Sequence, residues 1–236
     1  MYAKYFKRLV DILLSLLALS VLSPLFLILM AGGAIAMKGN PFFIQPRPGL
    51  KDANGREKVF NLIKFRTMDN RKDENGFLLP DDVRLNRYGR FLRATSLDEF
   101  PEALNIIKGD MSVVGPRPQL VRDMVFMTER QRHRHDVRPG LTGLAQINGR
   151  NGITWEEKLD FDLEYIKQIT FFKDVKIIFE TVWQAFIKRD GISQEGMDTA
   201  EDLGDYLLRK GYMDEKKYND RLALIGENND HRKKII

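Results

Sequence analysis

Apolar residues run almost unbroken across positions 9–37, interrupted by Asp11, a few small residues and the Ser23-Pro24 pair. A straight helix of about 29 residues would be roughly 43 Å long, against a hydrocarbon core of about 30 Å, so the segment must tilt or bend. Pro24 removes a backbone donor near the middle, and the Ser23 hydroxyl can bond a freed carbonyl, so a break is expected there. Residues 41–49, carrying Gln45, Arg47 and Gly49, read as a loop, residues 58–68 as a short strand, and residues 69–80 as a mobile, charged, glycine-containing loop. From Asp98 onward the pattern is mainly helical, with turns at Gly109, at residues 115–118 and at 139–149. Within residues 155–188, Phe171, Phe172, Val175, Ile178, Val182, Trp183 and Phe186 recur at helical spacing among Lys173, Lys176 and Lys188. That stripe fits either a core-facing helix or one lying in a membrane interface. Residues 198–236 read as helix, turn around Gly211, second helix and a disordered basic end. The expected whole is an α/β protein, mainly helical: an anchor over residues 1–38, a compact domain over 39–190 with interfacial amphipathic helices, and a charged helical appendage over 191–236.

Charge refines the reading of the apolar segment. Lys4, Lys7 and Arg8 precede it, and Lys38, Arg47 and Lys51 follow it. Basic residues favour the cytoplasmic side, so a helix-break-helix that enters and leaves by one leaflet suits both flanks, whereas a proline-kinked span would carry one of them across. The run is too long for a cleaved signal peptide and lacks a clear small-residue cleavage site. With 236 residues and 43% hydrophobic content the chain can bury one substantial core, and it has no cysteine, which excludes disulfides, thiolate metal sites and a cysteine nucleophile. Its net charge of +5 suits anionic lipid, phosphorylated substrates or nucleic acid.

Chemistry concentrates between residues 82 and 118. The carboxylate pair Asp98-Glu99 precedes Pro101 and an expected helix to Lys108, where a helix dipole would favour ionised acids. Arg84, Arg87, Arg90, Arg93 and Arg117 surround the pair in sequence. Acids that attack phosphorus or hold a divalent ion, beside arginines that clamp oxyanions, are what phosphate chemistry requires. A plainer reading also fits: Ser96-Leu97-Asp98-Glu99 has the letters of a capping box, in which Glu99 bonds back to the helix start.

Five ordered motifs then carry a resemblance: the Ser23-Pro24 break, KFRTM at 64–68, SLDEFPE at 96–102, GDMSVVGPRP at 109–118 and RPGLTGLAQINGRN at 138–151. Over roughly residues 5–189 the chain resembles the bacterial sugar transferase, or monotopic phosphoglycosyl transferase, family. That resemblance implies transfer of a sugar 1-phosphate from a UDP-sugar to a polyprenyl (undecaprenyl) phosphate at the cytoplasmic face of the bacterial inner membrane. It implies Asp98 as nucleophile, Glu99 as its acidic partner, both as ligands of Mg²⁺, and Arg93, Arg117, Lys64 and Arg66 as phosphate-binding residues. Arg138 and Gln146 fall in a motif placed loosely near the nucleotide. The family commonly has glutamine where this chain has Glu102. The resemblance leaves a homodimer open and implies no nucleic-acid partner.

Other classes fare less well. Asp160-Phe161-Asp162 supplies the letters of a glycosyltransferase metal motif, but residues two apart on a helix point about 200° around the axis. The basic run 130–138, with His133 and His135, lacks interleaved aromatics for nucleic acid and a third ligand for metal, and reads as a solvated helix end or loop. A membrane-anchored scaffold or binding protein without catalysis is the non-enzyme alternative.

Overall fold

The computed structural model describes residues 1–149, 152–184 and 201–232, with 225–232 by backbone alone. Arg150, Asn151, Phe186, Lys188, the expected boundary at 190 and the final residues 233–236 lie outside them.

A π-helical turn (Tyr2–Phe6) leads into α1 (Lys7–Val21) and, after a 69° bend, α2 (Ser23–Ala36). Pro24 would have donated to the carbonyl of Ser20, and the Ser23 hydroxyl donates to that same oxygen at 2.9 Å. The break therefore leaves that acceptor satisfied. Among the described residues no single helix is long and apolar enough to cross a membrane, and the bent pair passes that test only together. At 1.5 Å per residue the arms are about 22 and 21 Å long. Leu9, Leu13, Leu17, Val21, Leu27, Ile28 and Ile35 point outward, exposed.

Polar contacts fix the hairpin to the body. Asp11, 4% exposed, accepts from the Ser112 hydroxyl at 2.8 Å and the Val113 N–H at 3.0 Å. Arg8 donates to the carbonyls of Ile106 and Ile107 at 2.5 and 2.9 Å. Tyr2, Lys7 and Tyr165 converge on Asp174. The Tyr88 hydroxyl donates to the Leu29 carbonyl at 2.5 Å, with its ring against Gly32 and Gly33.

β1 (Phe42–Lys51) and β2 (Glu57–Phe65) form an antiparallel ribbon. Residues 41–49 are thus mostly strand rather than loop. Pro46 and Pro48 are two apart and share the phase in which an N–H points away from the partner, so neither interrupts the ladder. The segment 69–80 is held by local bonds: the Asp73 carboxylate accepts from the N–H groups of Asn75 and Phe77, both at 2.9 Å, and Met68 bridges Leu85. α3 (Asp81–Arg84) and α4 (Arg87–Thr95) follow, then a 3-10 turn (Leu97–Glu99) and α5 (Glu102–Lys108). β3 (Ser112–Val114) and β4 (Gly140–Thr142) pair in parallel, a contact with no local sequence signal. A Cβ at Gly115 would lie 2.6 Å from the Arg138 carbonyl, so this crossing requires glycine.

Between these strands lie a 3-10 segment (Val121–Phe126), α6 (Glu129–Arg132) and a second such segment (His133–Asp136). α7 (Leu144–Ile147), α8 (Trp155–Lys167) and α9 (Phe171–Trp183) follow. α9 has two apolar sides: Ile177 is buried with Val114 and Tyr165, while Phe172, Phe179, Val182 and Trp183 are exposed. The core-facing reading of its stripe therefore holds for the Ile177 side, and the opposite side is apolar and exposed. Finally α10 (Leu203–Arg209) and α11 (Glu215–Arg232) flank the expected turn at Gly211. Rather than standing apart, Leu203 and Tyr206 share a core with Phe126, Met127, Trp155 and Leu159.

Candidate active site

α4 ends where Ser96 takes the left-handed conformation, φ 56°. That reversal turns the chain into Leu97–Glu99 and forgoes the capping box, since Ser96 makes no side-chain cap bond there. Leu97 and Phe100 pack with Leu25, Phe26 and Met30 of α2, while Glu99 reaches Lys64 and Arg117 in the body. The acidic pair thus borders the apolar hairpin.

Strand alternation supplies Lys64. Phe65 packs with the hairpin cluster, and Lys64, sharing a face with Phe60 and Leu62, meets α5. Its ammonium lies 2.9 Å from Glu99 and 3.1 Å from Glu102. Asn105, 1% exposed, fixes the spacing by accepting from the Ile63 N–H at 3.0 Å and donating to the Asn61 carbonyl at 2.7 Å. Arg117 closes the other side, both terminal nitrogens donating to Glu99. Behind it, the buried Arg134 guanidinium donates to the Arg117 carbonyl at 2.5 Å and to Asp162 at 2.6 Å.

Three carboxyls in one cluster acquire three proton affinities. Burial raises Asp98 to about 6, with Glu99 adding to the rise and Lys64, Arg117 and Arg93 opposing it. The expected helix-dipole effect does not dominate, although an acid near 6 is still largely ionised at neutral pH. Burial also raises Glu99, but Arg117 and Lys64 outweigh it and hold this carboxyl well below the usual range. Glu102, 2% exposed, is raised to about 7 by burial, opposed by Lys64 and reinforced by Glu99. Lys64 is raised: its acidic neighbours, Glu99 foremost, outweigh the burial that would lower it.

The other expected site residues scatter. Arg93 donates to the Thr67 hydroxyl at 3.1 Å and contributes to the field at Asp98. Arg66 is half-buried on the stretch after β2, its N–H bonded to Pro41. Arg84 serves Asp69 and Asp81. Arg138 donates to the Gly109 carbonyl at 2.9 Å, at the end of α5 away from the acids, with Arg8 beside it. Gln146 has both amide atoms buried and without a hydrogen-bond partner among the described residues. Asp160 pairs with Arg130 and Asp162 with Arg134, so the two diverge as helical spacing requires. The run 130–138 is not simply solvated, because Arg134 and His135 are buried, the latter against Glu57.

Among the described residues no group of three or more His, Cys, Asp or Glu could hold a metal ion. Asp98 and Glu99 offer carboxylate oxygens, and Mg²⁺ is commonly held by one or two carboxylates plus substrate phosphates. The donor set therefore fits an ion shared with a diphosphate.

Paired acids neutralised to different degrees by lysine and arginine thus sit on a turn seated against an apolar hairpin. The family model for bacterial sugar transferases matches residues 2–188, and the chain belongs to that family. It is accordingly a transferase. It is 45% identical over 195 residues to the uncharacterized sugar transferase EpsL of Bacillus subtilis, covering 83% of this chain and 94% of that one. It is 39% identical to the UDP-glucose:undecaprenyl-phosphate glucose-1-phosphate transferase of Klebsiella pneumoniae, covering 78% of this chain and 41% of the relative. To the undecaprenyl-phosphate galactose phosphotransferase of Salmonella typhimurium it is 34% identical, covering 80% and 42%. The chain thus spans nearly all of one relative and about two-fifths of the two larger ones.

Proposed function

We propose that this protein transfers a sugar 1-phosphate from a UDP-sugar to undecaprenyl or another polyprenyl phosphate, at the cytoplasmic face of a bacterial membrane, as a step in polysaccharide assembly. The observation that carries this reading is the inequality among the acids. Glu99 is held by Lys64 and Arg117, whereas among the described residues no hydrogen bond holds the Asp98 carboxylate, and Asp98 is half-buried. The relatives named for undecaprenyl-phosphate transfer support the acceptor and a nucleotide-sugar donor.

In this reading an Asp98 oxygen attacks the β-phosphorus of the donor. The bond from that phosphorus to the bridging oxygen breaks, UMP leaves with the electron pair, and the sugar phosphate is esterified to Asp98. An oxygen of the lipid phosphate then attacks the same phosphorus and returns Asp98 as a carboxylate. Arg117 and Lys64 orient Glu99 beside the phosphate, and Arg93 adds positive field. Mg²⁺ held by Asp98 and Glu99 would offset the diphosphate charge. The α1–α2 hairpin, re-entering one leaflet, and the exposed face of α9 would bring the lipid phosphate to the turn at 97–99.

The test is UMP release by purified protein from a panel of UDP-sugars with Mg²⁺, with and without polyprenyl phosphate. Lipid-dependent turnover with one or more donors supports the reading. A protein that releases no UMP from any of them is not this enzyme.

A further inference from the structure

We infer that Arg47 and Arg134 are positioning residues for the transfer: they hold the backbone carbonyls of Pro118 and Arg117 and so fix the Arg117 guanidinium against Glu99. The inference rests on the reading above, in which Arg117 serves phosphate chemistry through Glu99. Pro116 and Pro118 flank Arg117 and have no N–H, so carbonyl oxygens are the main handles by which this stretch can be fixed. Each of the three successive carbonyls has a donor. Pro116 accepts from the Gly140 N–H at 3.0 Å, Arg117 from the Arg134 guanidinium at 2.5 Å and Pro118 from the Arg47 guanidinium at 3.2 Å. These donors come from three separate parts of the chain: β4, the 3-10 segment His133–Asp136 and β1.

Each of the two arginines is itself held. Arg134, its side chain 1% exposed, donates through Nε and a terminal nitrogen to Asp162 of α8 at 2.9 and 2.6 Å. Its other terminal nitrogen lies 3.4 Å from His135 Nε2. Arg47 donates to the Gln45 side-chain oxygen at 2.6 Å, two residues away on the same face of β1. The register, with Gln45 opposite Leu62 and Phe43 opposite Lys64, makes this the ribbon face that also delivers Lys64 to Glu99. Stability alone gives poor reason for either group. A buried ion pair such as Arg134–Asp162 is often no better than apolar residues of the same volume. Arg47 has no carboxylate partner among the described residues, and burial, with Arg117 as a nearby like charge, lowers its proton affinity to about 10. What both supply is a fixed backbone under Arg117, whose two terminal nitrogens then meet Glu99.

The experiment uses the full chain, carrying isotope-labelled arginine, in lipid nanodiscs. Nuclear magnetic resonance reads whether the two terminal nitrogens of Arg117 give separate signals, assigned by their absence in Arg117→Lys. A guanidinium held on Glu99 by both nitrogens should give separate signals in the wild type. Arg47→Met should merge them, as should Arg134→Met with Asp162→Leu, which removes the ion pair together and strands no charge. Arg47→Lys, which keeps a donor for the Pro118 carbonyl, should keep them separate. In Arg47→Met and in the Arg134/Asp162 variant, kcat/KM for the UDP-sugar should fall by about tenfold or more. The same changes made in Arg117→Ala should cost less than about twofold, because they act through Arg117. Thermal unfolding selects the folded variants, and either clamp alone suffices for the test. Separate Arg117 signals that persist in both variants overturn the positioning, as do wild-type signals already merged or an equal loss of kcat/KM in the Arg117→Ala background. Arg117 signals that depend on the clamps, in a protein that releases no UMP, would keep the positioning and sink the reaction.

Discussion

Glu102→Gln isolates the physical cost of the third acid. Glu102 is 2% exposed, 3.1 Å from Lys64, and its carboxyl is raised from 4.5 to about 7 by burial. A carboxyl whose folded affinity for protons is raised contributes stability that is complete below 4.5 and is lost as pH rises through about 7. Between those limits the loss is about 1.4 kcal/mol per pH decade, which bounds it at about 3 kcal/mol. Glutamine has nearly the same shape, can accept from Lys64 and does not titrate. The variant should therefore gain on the wild type as pH rises from 5 to 8. At about 2 to 4 °C per kcal/mol for a chain of this size, the difference between the two melting temperatures should shift by several degrees over that range. Thermal unfolding in detergent micelles at pH 5, 6, 7 and 8 provides the measurement. A difference that stays constant across the series would mean that Glu102 is already ionised or already neutral throughout, and the reasoning about its burial would be wrong.

Three further outcomes follow from the same geometry. Arg134→Met should destabilise the fold by about 3 to 5 kcal/mol, seen as a large drop in melting temperature, because it strands Asp162 without its partner; Arg134→Met with Asp162→Leu should recover much of that loss. Single cysteines at positions 2 and 40 should both react with an impermeant reagent from the cytoplasmic side only, and labelling of either from outside would exclude the re-entrant hairpin. Arg117→Ala should lower kcat/KM for the UDP-sugar by more than about tenfold, since it removes a charge-assisted contact and unbalances Glu99.

Much of this arrangement was legible in the chain because it is local. The bend at Ser23-Pro24, the helix after Pro101, the turn at Gly211 and the divergence of Asp160 from Asp162 all follow from backbone chemistry and helical period. The motifs likewise singled out Lys64, Glu99 and Arg117, which the fold brings together. What escaped depends on distant partners. Residues 41–49 look like a proline-rich loop until β2 is there to pair them. The capping-box letters at 96–99 are overridden because two distant cations claim Glu99. Arg138, in the same motif as Gln146, ends up closing α5 at Gly109, and nothing within that motif reports the contact. Asp11 carried a usable signal: one acid in an apolar run costs too much to be without a partner, and its partners prove to be Ser112 and Val113.

The proposed covalent step is tested by the intact mass of the protein after brief incubation with a turned-over UDP-sugar and Mg²⁺, without lipid. The wild type should gain the mass of one sugar phosphate, localised by fragmentation to Asp98, as UMP appears in equal amount, and added polyprenyl phosphate should discharge the adduct. Asp98→Asn should show neither adduct nor UMP, while Glu99→Gln, if that residue serves the acceptor step, should keep the adduct. UMP that appears only when lipid is present, with no adduct in any variant under rapid acid quench, would mean direct transfer between bound substrates and would remove Asp98 as the nucleophile.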